Sequence, residues 1–426
     1  MPPVFPDVAA PDMINPGVDD VLADAQRHTG DDPGKDHTMI INMGPQHPST
    51  HGVLRLVLEI DGEAVVSLAP DIGYLHTGIE KTCEAKFYQQ VVPLTDRIDY
   101  LCPMTNNLAY CLAVEKLLGL EVPERAQYLR VLLNELTRIQ SHLVWLGTHA
   151  MDIGALTVFL YCWREREDIM RIYENISGQR MMTSYFRIGG LSLEPPLDFY
   201  EQVQAFLTKM PAQIDQYENL LTGNPIWMGR LKGVGFLSAA DAIALGVTGP
   251  PLRASGVDWD LRRDMPYSGY EKFKFDVPVS QVGDVWARYQ VRMLEMRESL
   301  KICKQAMDFL AALPADAPIT ADAPKIVLPN REQMKTQMES LIHHFKIVTE
   351  GFAVPAGEVF QAVESPRGVM GYYVVSDGTA KPYRVHMRNP SFATLQALET
   401  MCKGRMLADV VAVIGSIDIV LGEIDR

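Results

Sequence analysis

The sequence predicts an α+β fold: a central antiparallel helix bundle with a small N-terminal β-unit and a C-terminal mixed α/β segment. Three observations point there. Long segments in the middle of the chain carry apolar residues three or four positions apart, the period of a helix with one buried face. A β-rich stretch closed by a hairpin turn stands before them. Strand-like alternation follows them, after a Pro-rich link.

Composition sets the bounds. The chain has 426 residues, 47% hydrophobic and 22% charged, enough apolar material for a packed core and for two or three domains. Its formal net charge of −14 argues against nucleic acid as a ligand and against adhesion to anionic lipid, since both need clustered cations. No apolar run reaches the roughly eighteen residues that cross a bilayer; the best, 154–163, is stopped by Arg164, Glu165, Arg166 and Glu167. Six cysteines occur without a CxxC pair, so zinc and iron–sulfur spacings are absent and reduced, buried thiols are expected.

Residues 1–37 read as an acidic, flexible arm. They hold eight aspartates against only Arg27 and Lys35, which fits neither a secretory signal nor an Arg-rich transit peptide. The β-unit spans 38–78: residues 53–60 form a strand, Asp61-Gly62 turns, and 63–68 return. The bundle spans 79–313. Its expected helices cover 104–118, 124–146, 156–176, 198–221 with Pro211 as a possible kink, and 285–310 with Asp284 as N-cap. In the helix over 124–146, Leu129, Leu132, Leu133, Leu136, Ile139 and Leu143 make the buried face. Arg130, Asn134, Glu135, Arg138 and Gln140 are expected to lie away from it. Gly- and Pro-rich loops at 223–280 either wrap the bundle or form a subunit interface. The mixed segment, 314–426, has a helix over 338–349 and strands over 357–363, 371–375 and 382–387.

Three clusters could carry chemistry. The first is GPQHPSTHG at 44–52, whose prolines rule out an ordinary helix and make a rigid loop around His47 and His51. Imidazole suits proton donation near neutral pH, although a structural histidine fits the same pattern. The second is TDRIDY at 95–100, where Arg97 and Tyr100 stand three apart, as a cation and a phenol on one face or as a plain helix cap. The third is GTHAMDIG at 147–154, where Asp152 joins two apolar helices. A lone carboxylate there is costly unless paired, and capping the helix that begins near 156 is the alternative. Spacing alone leaves open whether the clusters converge. Polar groups meeting at an apolar cleft make the default binding site.

These residues, with GYLHTGIEK, LAVEKLLG, LRASGV, PYSGYE, GYYVVSDG and a C-terminal DR, closely resemble the quinone-site subunit family of respiratory complex I, the proton-pumping NADH:quinone oxidoreductase. The resemblance covers about 38–426. It implies a fold similar to nickel–iron hydrogenase large subunits without the metal site, whose two CxxC pairs are missing here. It also implies no cofactor in this chain. A quinone substrate would sit between it and a small neighbour carrying a [4Fe–4S] cluster. Other peripheral-arm subunits and a membrane-arm subunit are the remaining implied partners, on the cytoplasmic side of a bacterial inner membrane. Carried over by motif, His51 and Tyr100 are hydrogen-bond partners of the two quinone carbonyls, and Asp152 pairs with His51 and favours its charged form. Arg97 is the arginine close to the cluster, and His47 lies near the quinone pocket. The chain departs from many relatives in two places. Met182 replaces a histidine thought to make the cluster potential pH-dependent, and Ile419 replaces a proline after Asp418. A scaffold subunit that binds no quinone, or a relative served by another electron donor, is the competing reading.

Overall fold

A computed structural model describes residues 38–426 of the chain; the arm expected over 1–37 lies outside the described residues. The fold is α+β. An antiparallel three-stranded sheet, β1 (Met39–Met43), β2 (Arg55–Asp61) and β3 (Ala64–Asp71), opens it, in spatial order β1-β2-β3. The turn between β2 and β3 is tight because Gly62 takes a positive φ of 58°. Strand β1 was not foreseen. Among the described residues it is a half-exposed edge strand that pairs with β2 alone, so its sequence carries little of the burial that makes a strand recognisable.

The expected helices are present: α1 (Pro103–Leu118), α2 (Glu124–Asp152), α3 (Leu156–Ser177), α4 (Leu197–Leu221) and α5 (Val285–Ala312). Asp284 caps α5, accepting from the Ala287 backbone N–H at 2.8 Å. Helix α4 runs through Pro211 without ending. A two-stranded ribbon, β4 (Phe186–Arg187) and β5 (Gly190–Leu191), lies between α3 and α4 in the chain. Helix α6 (Met338–Glu350) leads to a second three-stranded antiparallel sheet, β6 (Gly357–Ser365), β7 (Gly368–Ser376) and β8 (Arg384–Arg388), whose first two strands pack on α1. Near the C-terminus, α7 (Leu407–Ile417) packs on α2 and α5.

The expectation for α2 needs correction. It is enclosed by α1, α3, α5 and α7 rather than lying on a surface, and Arg130, Asn134, Glu135, Arg138 and Gln140 are all buried. Burial of charge is tolerated because most of these groups have partners. Arg130 meets Glu115 at 2.6 Å, and Glu135 receives Arg138 at 3.2 Å, Arg262 at 3.1 Å and the Tyr270 hydroxyl at 2.7 Å. Two of the partners come from the Gly/Pro-rich segment. Its short helices Pro250–Ala254 and Leu261–Asp264 wrap the bundle and insert Arg253 and Arg262 into it. Arg253 then joins Glu295 of α5 at 2.6 Å and Glu364 of β6 at 2.8 Å. A ladder of ion pairs thus runs through the core of the bundle.

Candidate functional site

The loop after β1 is fixed from within. The Gly44–Pro45 peptide is cis, and Gly44 has a φ of 89°; a Cβ there would collide with the Leu54 carbonyl, so only glycine fits. The buried Thr50 hydroxyl donates to the Pro45 and His47 carbonyls at 3.2 and 3.0 Å. His47 begins a single 3-10 turn, Pro48–Thr50, and its Nδ1 accepts from the Ser49 N–H at 3.2 Å. His51 ends that turn in the left-handed region, with φ 54°. The turn packs on α7. A cavity of about 480 Å³ lies there, lined by Ile41, Met43, His47, Glu63, Leu407 and Val411 among others, an apolar wall with few polar groups.

His51 stays open to water at its edge yet is closely surrounded by protein, as in the wall of a cleft. That crowding, and then the charge of Arg367, lower its pKa to about 4 and favour the neutral imidazole. That direction runs against the charged form expected for His51. Among the described residues no hydrogen bond or ion pair joins it to Asp152. Asp152 is the last residue of α2, half-buried at the negative end of the helix dipole. Burial raises its pKa to about 6, opposed by His47 rather than His51. Nor does it cap the next helix, whose N-cap, Ala155, forms no side-chain cap.

Tyr100 lies in the irregular turn between the helix Tyr88–Thr95 and α1. Arg97 does not share a helical face with it: Arg97 is exposed and folds back onto the Pro93 carbonyl, while Tyr100 is half-buried. Burial raises the pKa of the phenol, and Asp99 adds to this while Arg367 opposes it. The phenol is accordingly neutral and holds its proton. The same turn meets the loop of Met182, because the Asp96 carboxylate accepts from the Ser184 N–H at 3.0 Å and its hydroxyl at 2.6 Å. Exposed Arg97 and half-buried Met182 thus sit on two loops tied together.

One residue connects His51 with Tyr100. Arg367, in the tight turn between β6 and β7, is buried, pairs with Asp99, and donates to the Asp418 carbonyl at 2.8 Å and its carboxylate at 3.3 Å. Its charge acts on both His51 and Tyr100. Burial alone would lower the pKa of Arg367, but Asp418 and Asp99 outweigh it and keep the guanidinium charged.

The family described as "Respiratory-chain NADH dehydrogenase, 49 Kd subunit" matches residues 152–426. An NADH-quinone oxidoreductase subunit of Koribacter versatilis (strain Ellin345) is 72% identical over 92% of this chain and 97% of its own. The chain belongs to that family. The corresponding NADH-quinone oxidoreductase subunit of Solibacter usitatus (strain Ellin6076) is 66% identical, over 91% of this chain and 94% of its own. That of Trichlorobacter lovleyi is 60% identical, over 91% and 98%.

For a member of the 49 kDa family, sequence reasoning named His47, His51, Arg97, Tyr100, Asp152 and Met182 but did not single out Arg367 or its pairing with Asp99 and Asp418. A sequence signal for Arg367 exists: a lone arginine in a two-residue turn that leads into the strongly apolar strand Gly368–Ser376. The departure at Ile419 also becomes readable. Asp418 is left-handed, with φ 51°, outside the extended region that a following proline favours.

Proposed function

We propose that this chain is the quinone-site subunit of the peripheral arm of a proton-pumping NADH–quinone oxidoreductase, with a fold related to hydrogenase large subunits. It supplies proton donors for reduction of quinone to quinol. Electrons reach the quinone from a [4Fe–4S] cluster held by a small neighbouring subunit. Further peripheral-arm subunits and a membrane-arm subunit are its other partners in the complex, on the cytoplasmic face of a bacterial inner membrane. No helix among the described residues is long and apolar enough to cross a membrane, which suits a peripheral position.

The observation that carries the reading is the common dependence of His51 and Tyr100 on Arg367. A hydrogen-bond donor, His51, and a proton donor, Tyr100, from distant segments both feel one buried cation. Quinone reduction takes two electrons and two protons, and the two carbonyl oxygens each need a donor. Tyr100 is a neutral phenol and His51 a neutral imidazole with one N–H, so both can bind a carbonyl without bringing in a net charge. Ionised Asp152 adds a negative charge near His47 at the edge of the apolar cavity.

Tyr100→Phe in the assembled complex tests this. Quinone reduction should fall at least tenfold while NADH-driven reduction of a small water-soluble acceptor persists. Full quinone reductase activity in that variant would instead favour a scaffold role.

A further inference from the structure

Behind the ring of Tyr100 lies the last turn of the chain, the helix Leu421–Asp425. Gly422 allows the close approach: a Cβ there would stand 2.7 Å from the Ile98 carbonyl and 3.1 Å from Tyr100 Cε1. The next residue, Glu423, is fully buried. Its Oε1 accepts from the Ser391 N–H at 2.9 Å, while its Oε2 has no partner among the described residues.

Charged and titratable groups face Glu423 from three sides. Asp99, Tyr100 and Cys102 come from the turn before α1, Arg367 from the β6–β7 turn and Arg388 from the end of β8. Neither guanidinium donates to it. Arg367 is engaged by Asp99 and Asp418, and Arg388 donates to the Val369 and Gly246 carbonyls and to the Thr248 hydroxyl. A charged Glu423 would leave a buried oxygen without a donor beside another carboxylate, a costly arrangement.

We infer that Glu423 is a positioning residue for Tyr100, a buried carboxyl one residue beyond the glycine that packs on the phenol ring, whose ionisation makes the phenol a weaker proton donor. This rests on the quinone reading above and assigns a control on that same site. Burial, then the charge of Asp99, raises the pKa of Glu423 to about 8, against the opposing pull of Arg367 and of hydrogen bonds from Ser391. A negative Glu423 raises the pKa of the phenol in turn. As pH climbs through 8, Tyr100 therefore holds its proton more tightly and quinone reduction slows.

The test measures NADH-driven quinone reduction by the assembled complex from pH 6.5 to 9.5. Each rate is divided by the rate with a small water-soluble acceptor at the same pH. The unmodified complex should be about tenfold slower at pH 9 than at pH 7 if only the protonated carboxyl supports turnover. Glu423→Gln should flatten that alkaline limb. Ser391→Ala, which removes a hydroxyl that favours the charged form, should move the limb to higher pH. An unmodified complex with no alkaline limb overturns the inference without any variant, and so does a limb unchanged in Glu423→Gln. A crippled Tyr100→Phe combined with an unchanged Glu423→Gln limb defeats this inference alone. A fully active Tyr100→Phe defeats the quinone reading beneath it.

Discussion

Asp99 and Arg367 form a buried ion pair across 268 positions of sequence. The pair ties the turn that carries Tyr100 to the turn between β6 and β7. Through Asp418 the same guanidinium reaches the end of α7. One side chain thus joins three distant segments, and its charge is felt by both Tyr100 and His51.

Removing that cation should be severe. Arg367→Met leaves the Asp99 and Asp418 carboxylates buried without their shared partner. A loss of about 3–5 kcal/mol is expected for breaking a buried pair from one side. The measurement is the amount of assembled complex in membranes and its thermal midpoint. Normal assembly with normal activity would contradict the role given to Arg367.

Gly422→Ala probes the position of the phenol separately from its acidity. The added methyl meets the Ile98 carbonyl and the Tyr100 ring, so the ring or the last turn must move. Overpacking of this kind costs about 1–3 kcal/mol. The expected kinetic result is a raised KM for quinone, with reduction of a small acceptor unchanged. An unaltered KM and kcat would show that the ring has room the structure does not provide.

Asp152 should set an acid limb. Its pKa is raised to about 6 by burial, so it is mainly ionised at pH 7 and loses its charge as pH falls through 6. If the carboxylate supports the site, quinone reduction declines over that window and Asp152→Asn is slow at every pH. Stability should move the other way. A carboxyl whose pKa is higher folded than unfolded favours folding at low pH and loses that advantage as pH rises through 6. Asp152→Asn should therefore raise the thermal midpoint at pH 7.5, with the gain shrinking below pH 6. A variant no more stable than the parent at pH 7.5 would contradict the burial assigned to this carboxyl.

Met182 offers a test in the opposite direction, by adding a group. With methionine there, the potential of the neighbouring cluster should change little with pH. Met182→His should introduce a slope near neutrality, up to about 59 mV per pH unit for one electron coupled to one proton. A redox titration followed by the cluster signal reads this. A steep slope in the unmodified complex, or a flat one in the variant, would remove Met182 from the cluster's surroundings.

The sequence by itself determined the long helices and the β6–β8 sheet, because apolar period and caps act within a few residues. It also pointed to the chemistry-bearing loops, because the prolines of GPQHPSTHG exclude an ordinary helix and TDRIDY reads as a loop entering a helix. Tertiary structure decided the rest. Whether Arg138 and Glu135 face water or a partner depends on α1, α3, α5 and α7 closing round α2, and no local period records that. The protonation of His51 likewise follows from burial by distant segments and then from Arg367, over 300 residues away, and that of Glu423 from burial and then from Asp99. Electrostatic energy depends on distance in space and on excluded water, so the charge states of this site exist only once the distant segments have come together.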